Sequence, residues 1–387
     1  MENGLFSLPT PFTPPTTEED ELVWLRLIRS RRVGPTTFWR LLGETGSAQN
    51  ALESLPEVAR AAGVKSYEPC SEAAARAELA AGRRAGARPV FRGQPGYPAI
   101  LAEIADAPPM LWAIGDAGLA GRPAVAVIGA RNASSLGYRM ARRLAEDVAA
   151  AGYAVVSGLA RGIDAAAHGA ALPATIAVQA GGIDVIYPAE NTALAAEIAG
   201  RGLRLSEQPP GLQPQARHFP QRNRIIAGLA RAVIVVEAAA RSGSLITARM
   251  ALDQGREVLA VPGHPMDGRA GGCNALIRDG AVLVRGADDV LAALGGAAAP
   301  IARVAEAAAP PPRPPAAPPP GPPERPRAET RDLHAQILDR LGPSPTAEDQ
   351  LIRDLRLPAT TVSAGLVELE LDGRVSRQPG GLFARSD

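Results

Sequence analysis

Apolar positions along the chain fall into three regimes. Between Glu18 and Ala62 they recur at helical spacing, in two or three short amphipathic segments broken by a Val33-Gly34-Pro35 turn. From Pro123 to Leu294 short Val/Ala/Ile runs alternate with helical stretches, the pattern of buried parallel strands joined by crossover helices. This predicts strands over Ala124–Ile128, Ala154–Ser157, Thr175–Val178, Arg204–Ser206, Ala232–Val236, Glu257–Ala260 and Ala281–Val284, with helices such as Leu136–Ala151 and Leu245–Gln254 between them. Near the end the pattern is helical again over Asp332–Leu341, Ala347–Leu355 and Thr360–Leu371. A two-stranded hairpin over Arg374–Arg385, turning at Pro379-Gly380-Gly381, follows.

Composition sets the boundaries. Eleven prolines crowd residues 310–326, which therefore form an extended, polyproline-like linker unable to join a core. The expected layout is a disordered tail at 1–16, a small helical domain at 17–90, an α/β domain at 91–298, the linker at 299–329 and a final module at 330–387. Three helices and a β wing make that module winged-helix-like. The middle is an open, doubly wound, Rossmann-like parallel sheet, whose ligands belong outside the carboxyl ends of its strands. The Val33-Gly34-Pro35 turn resembles half of a helix-hairpin-helix (or SAM-like) motif, with Arg29, Arg31 and Arg32 beside it.

Charge narrows the partners. The net charge is +1, but residues 121–300 hold 18 arginines against 14 carboxylates, so attraction for polyanions resides there. Lys65 is the only lysine and no GxxxxGK[ST] occurs, which removes a P-loop. Cys70 and Cys273 are far apart, and the four histidines show no ligand spacing, so neither a disulfide framework nor a metal site is expected. No apolar run reaches membrane-spanning length and the N-terminus does not read as a signal peptide. A cytoplasmic protein with no membrane partner is expected.

Candidate chemistry lies in the loops that follow the strands. Gly129-Ala130-Arg131, Ser157-Gly158-Leu159-Ala160-Arg161-Gly162, Ser206-Glu207 and Ser242-Gly243-Ser244 all fall on one edge of a parallel sheet. Glycine lets a phosphate approach the backbone, serine caps the next helix, and freed N–H groups favour an anion. The first turn lacks GxGxxG and the second strand ends in Ser157-Gly158 rather than a ribose-binding acid, which argues against NAD or FAD; no cofactor is expected. Phe219, Arg222, Asn223 and Arg224 combine an aromatic face with two guanidiniums and an amide, the set that stacks a base and tracks a single-stranded backbone. Equally, the phenylalanine could pack in the core and the arginines could pair with Glu207 or Glu237.

In order and spacing these segments resemble the DprA/Smf family, as do Asp164 with Ala167-His168, Tyr187-Pro188, Thr247-Ala248, Pro262-Gly263 and Gly271-Gly272 with Asn274. The resemblance spans roughly residues 95–295. It implies a non-enzymatic Rossmann core that binds single-stranded DNA, forms a homodimer and helps load the RecA recombinase during natural transformation. The DNA-binding set it implies is Gly129, Ala130, Arg131, Ser157, Gly158, Arg161, Arg217, Phe219, Arg222, Asn223, Arg224, Ser242, Gly243, Ser244 and Thr247. The chain departs from the family's Gly-Ser-Arg by Ala130, losing one hydroxyl. Around Phe219 the family's lysines are replaced by Arg217 and His218.

The rival is a nucleoside-monophosphate phosphoribohydrolase-like enzyme, which shares such anion loops. Its loop glutamate is missing after Ser242-Gly243-Ser244, leaving Glu207, Glu237 or Asp164 for acid–base work. Asp164 and His168, four apart on a helix start, read first as a cap and a core hydrogen bond. The helix at the groove-reading position of the last module carries Thr360, Thr361 and Ser363 but then only Glu368, Glu370 and Asp372. This favours protein contact or modulation of dimerisation over duplex recognition, with Arg374, Arg377 and Arg385 in the wing keeping DNA contact open.

Overall fold

Thr17 opens the first helix, α1 (Glu18–Arg29), with a reciprocal capping box to Asp20, and Pro35 opens α2 (Pro35–Thr45) at a position where its missing N–H costs nothing. With α3 (Ala48–Ala61) and α4 (Glu72–Arg84) they bury Trp24, Leu25, Leu27, Phe38 and Leu41. A computed structural model of the chain describes residues 13–297, 327–341, 346–355, 357–378 and 382–385. The first twelve residues of the expected tail, most of the proline-rich linker and the 379–381 turn lie outside the described residues.

The strands are β1 (Arg88–Phe91), β2 (Met110–Gly115), β3 (Ala124–Ile128), β4 (Ala154–Ser157), β5 (Thr175–Gln179), β6 (Leu203–Ser206), β7 (Ala232–Val235), β8 (Glu257–Ala260) and β9 (Val282–Leu283). They form one sheet in the order β1-β2-β6-β5-β4-β3-β7-β8-β9. From β6 to β9 every pairing is parallel, whereas β1 and β2 add an antiparallel edge through β6. That edge is a finding beyond the sequence reading. The sheet begins at Arg88, within the segment expected to be helical. Trp112, Met110 and Phe91 of the edge share a core with α1 to α4, so the helical bundle is built onto the sheet.

The remaining helices of this unit are α5 (Ser135–Ala150), α6 (Ile163–Ala171), α7 (Thr192–Arg201), α8 (His218–Leu229), α9 (Ser244–Asp253), α10 (Gly271–Arg278) and α11 (Ala287–Leu294). Strand alternation divides them between two faces. Val125 and Val127 pack with Leu144, Val148 and Ile163, while Ala126 and Ile128 pack with Ile225, Ile226 and Ala248. Each such Leu, Ile or Val contributes roughly 1.5–3 kcal/mol by leaving water. Since β4 and β7 flank β3, strand order reverses there, and a crevice opens beyond the carboxyl ends of β3 and β7.

The second unit, residues 305–387, holds α12 (Arg327–Arg340), β10 (Thr346–Ala347), α13 (Glu348–Leu355), α14 (Ala359–Leu371), β11 (Val375–Gln378) and β12 (Leu382–Arg385) around Leu333, Ile337, Leu351, Val362, Leu366 and Phe383. This is a winged-helix arrangement. The wing has a third strand, with β10 pairing β12, and α12 starts inside the stretch expected to be linker. No helix among the described residues is long and apolar enough to cross a membrane.

Candidate nucleic-acid interface

The loop after β4 is held rigid from beneath. Asp164 accepts hydrogen bonds from the backbone N–H groups of Gly158 (3.1 Å) and Ala160 (3.4 Å), and His168 Nε2 accepts from Leu159 N (3.3 Å). Since Nε2 accepts, Nδ1 carries the proton and donates to Thr175 Oγ1 (2.7 Å), which donates onward to Val155 O. Burial, reinforced by Arg222, pulls the His168 pKa down to about 3, so the ring stays neutral. Burial pushes the Asp164 carboxyl up, against the opposing pull of Arg222. Both side chains are structural, as their spacing predicts. The loop passes Leu159 and Gly162 through positive φ, and a Cβ on Gly162 would lie 2.2 Å from Ala130 O, which ties this loop to the one after β3.

Helix α8 brings the next components. Arg222 is only 7% exposed, and its guanidinium lies so close over Gly158 that a Cβ there would sit 1.5 Å from Nη1. Its Nε is shut from solvent without a hydrogen-bond partner, and burial lowers its pKa to about 10, leaving it charged at neutral pH. A dehydrated cation with an unused donor is costly by itself, and the buried Asp164 carboxyl offsets part of that cost. Phe219 is half-buried, outside the core clusters; Arg131 lies over its ring at 5.1 Å and Tyr187 packs against it at 5.7 Å.

Two cavities meet at Arg131, Phe219 and Arg222. The larger, about 680 Å³, is also lined by Gly129, Ala130, Asn223, Ser242, Gly243, Ser244 and Thr247. Ser242 and Ser244 hydroxyls lie 2.7 Å apart at the start of α9. The smaller, about 220 Å³, is lined by Gly158, Arg161, Tyr187 and Glu190, with Arg161 and Glu190 paired at 3.6 Å. Three expected residues line neither cavity. Ser157 is buried and donates to Val127 O, and exposed Arg217 donates to His218 Nε2. Arg224 turns away and pairs with Glu207 at 2.6 Å and Asp106 at 3.4 Å, so the alternative of a structural pair holds for this arginine.

Sequence reasoning missed Arg241 and Arg269, which also line the larger cavity. Arg241 adjoins Ser242-Gly243-Ser244 and was open to notice. Arg269 arrives on the β8–α10 connection, partly neutralised by Asp267 and Glu237, with no local signal. The groove is cationic, with four arginines against the single buried carboxyl of Asp164. The rival's other carboxylates already have partners, since Glu207 holds Arg224, and Glu237 accepts from Ser134 N and Oγ at the start of α5 as well as lying 3.7 Å from Arg269. Beside the Val33-Gly34-Pro35 turn, Arg29 pairs with Glu78 and donates to Glu207 O.

The model of the DNA recombination-mediator protein A family matches residues 88–295; a DprA-like N-terminal HHH domain matches residues 18–81 and a DprA winged helix domain 305–381. Protein Smf of Synechocystis sp. is 38% identical over 313 residues, covering 75% of this chain and 78% of that protein. The X-ray structure of DNA processing protein A from Streptococcus pneumoniae superposes with a TM-score of 0.61 at 38% identity, covering 72% of this chain and 98% of that one. DNA processing protein A from Helicobacter pylori, solved for its single-stranded DNA binding mode, gives a TM-score of 0.50 at 30% identity over 54% and 97% of the two chains. With its central sheet, helical bundle and winged helix each matching the corresponding family domain, the chain belongs to the DprA/Smf family of DNA recombination mediators.

Proposed function

We propose that this protein binds single-stranded DNA, without sequence preference, along the cationic groove at the carboxyl edge of the sheet. The observation that carries the reading is Arg222, a buried guanidinium, charged at neutral pH, that lines both cavities beside the half-buried Phe219. Its charge attracts a phosphate, the glycine and serine loops let the backbone come near, and the aromatic ring stacks an unpaired base. The Helicobacter pylori relative's single-stranded DNA binding supports it.

The engagement of Glu207, Glu237 and Asp164 in structural contacts weighs against phosphoribohydrolase chemistry and for a non-enzymatic mediator. Family membership supports the finer role, a cytoplasmic homodimer that helps load RecA in natural transformation. In the winged-helix unit, α14 exposes Val367 (55%) and Leu371 (82%) among Glu368, Glu370 and Asp372, which favours protein contact there. The test is to titrate single-stranded DNA, duplex and AMP side by side, with product analysis. The expected outcome is tight strand binding without turnover; turnover of AMP abolished by Glu207→Gln or Glu237→Gln would reverse the reading.

A further inference from the structure

A third cavity, about 520 Å³, opens between α5 and the loop that follows β8, and none of its lining residues lines either cavity of the strand groove. One wall is the α5 stripe Leu136, Arg139, Met140 and Arg143, residues three and four apart that share a helix face over about 10 Å. Val236 and Val261 line it from the sheet, and the loop from Pro262 to Ala270 closes the other side. Leu136 is 69% exposed and Met266 of that loop 87%, the two most exposed large apolar side chains described within residues 13–297. Apolar side chains held open to water on both sides of one apolar-lined cleft mark a surface that a partner covers.

Charge selects the partner. Arg139 makes no ion pair among the described residues, and Arg143 makes only an exposed one of 3.7 Å with Asp147. The carboxylates of the cleft are already matched, since Glu237 accepts from Ser134 Oγ, and Glu237 and Asp267 lie 3.7 and 3.1 Å from Arg269. The charge left free at the mouth is therefore cationic. No lining residue is aromatic, so an unpaired base finds no face on which to stack. We propose that this cleft docks a protein partner through an acidic, amphipathic segment, whose apolar side chains pack beside Leu136 and Met140 while its carboxylates meet Arg139 and Arg143. Because the two sites share no lining residue, the partner and a DNA strand can be held at once.

The experiment measures, by fluorescence anisotropy on the full chain, binding of a labelled peptide with leucines at i, i+3 and i+7 and glutamates between them. The same peptide with serines for leucines, or glutamines for glutamates, and a labelled oligothymidylate run alongside. The acidic, leucine-bearing peptide should bind, and each replaced peptide should bind at least about 5-fold more weakly. Leu136→Ala should weaken the peptide about 10-fold, and Arg139→Glu about 5-fold at low salt, a loss that shrinks as salt rises. Both side chains are exposed, so melting temperature and oligothymidylate affinity should not change. Absence of peptide binding, or binding indifferent to both substitutions, would overturn the proposal and leave strand binding intact. Loss of oligothymidylate affinity in either variant would give the cleft to the strand instead. A shift of oligomeric state in Leu136→Ala, by light scattering and without peptide binding, would give it to a second copy of the chain and overturn the proposal equally.

Discussion

Truncating Arg224 to alanine removes the partner of Glu207 in a pair whose side chains are 10% and 13% exposed and 2.6 Å apart. Breaking a buried pair from one side leaves an uncompensated charge and costs about 3–5 kcal/mol. Asp106, 41% exposed, adds little. At about 2–4 °C per kcal/mol for a unit of this size, the melting temperature should fall by roughly 6–20 °C. Arg222→Ala is the contrasting perturbation. Burial has lowered that guanidinium's pKa from 12.5 to about 10, a penalty on the charged form of roughly 3 kcal/mol at about 1.4 kcal/mol per unit. Removing it relieves that penalty but leaves the buried Asp164 carboxyl without its neighbouring cation, so the melting temperature should fall less than for Arg224→Ala. Strand affinity should fall as well, and the log–log salt slope should flatten by about 0.7 for the lost phosphate contact. Thermal melts paired with anisotropy titrations across a salt series separate the two. An Arg224→Ala protein that melts normally but shows the flattened slope would refute the assignment of the two arginines.

Phe219→Ala should weaken strand binding by roughly 1–3 kcal/mol with an unchanged salt slope and melting temperature, since the ring is half-buried and uncharged; a large loss of stability with normal affinity would make it a packing residue. Deleting residues 310–387 should leave a folded core, by circular dichroism, that still binds single strands, because the sheet and both cavities lie within residues 1–304. His168 is neutral when folded, with its pKa lowered from 6.5 to about 3. Below pH 6.5 the unfolded chain therefore takes up a proton that the folded one refuses. Its contribution is present above pH 6.5 and is lost toward pH 3, at up to about 1.4 kcal/mol per pH unit. Denaturant melts of the unaltered protein should fall more steeply over that range than those of His168→Gln, and parallel curves would contradict the buried, neutral assignment.

The parallel strands were legible because each is a short Val/Ala/Ile run stopped by glycine or polar residues, and the expected spans agree with β3 to β9 to within one residue at either end. The antiparallel edge was not, since Pro89 interrupts β1 and β2 takes its place only by pairing with β6, distant in sequence. The loops of the site were legible for a related reason: a parallel sheet collects its strand-following loops on one edge. The fates of Arg222 and Arg224 were not. Residues two apart on a helix point in opposed directions, and α8 is buried nearly all round, so no polar stripe marks which arginine faces the groove. Arg269 reaches the groove by tertiary folding alone.

The most direct measurement is a structure of the full chain with a short oligodeoxythymidylate bound. The account predicts a phosphate oxygen about 2.7–2.9 Å from a guanidinium nitrogen of Arg222, with the strand following the groove past Phe219 and the Ser242-Gly243-Ser244 loop. A strand bound to the winged-helix unit, with the groove beside Arg222 empty, would contradict it.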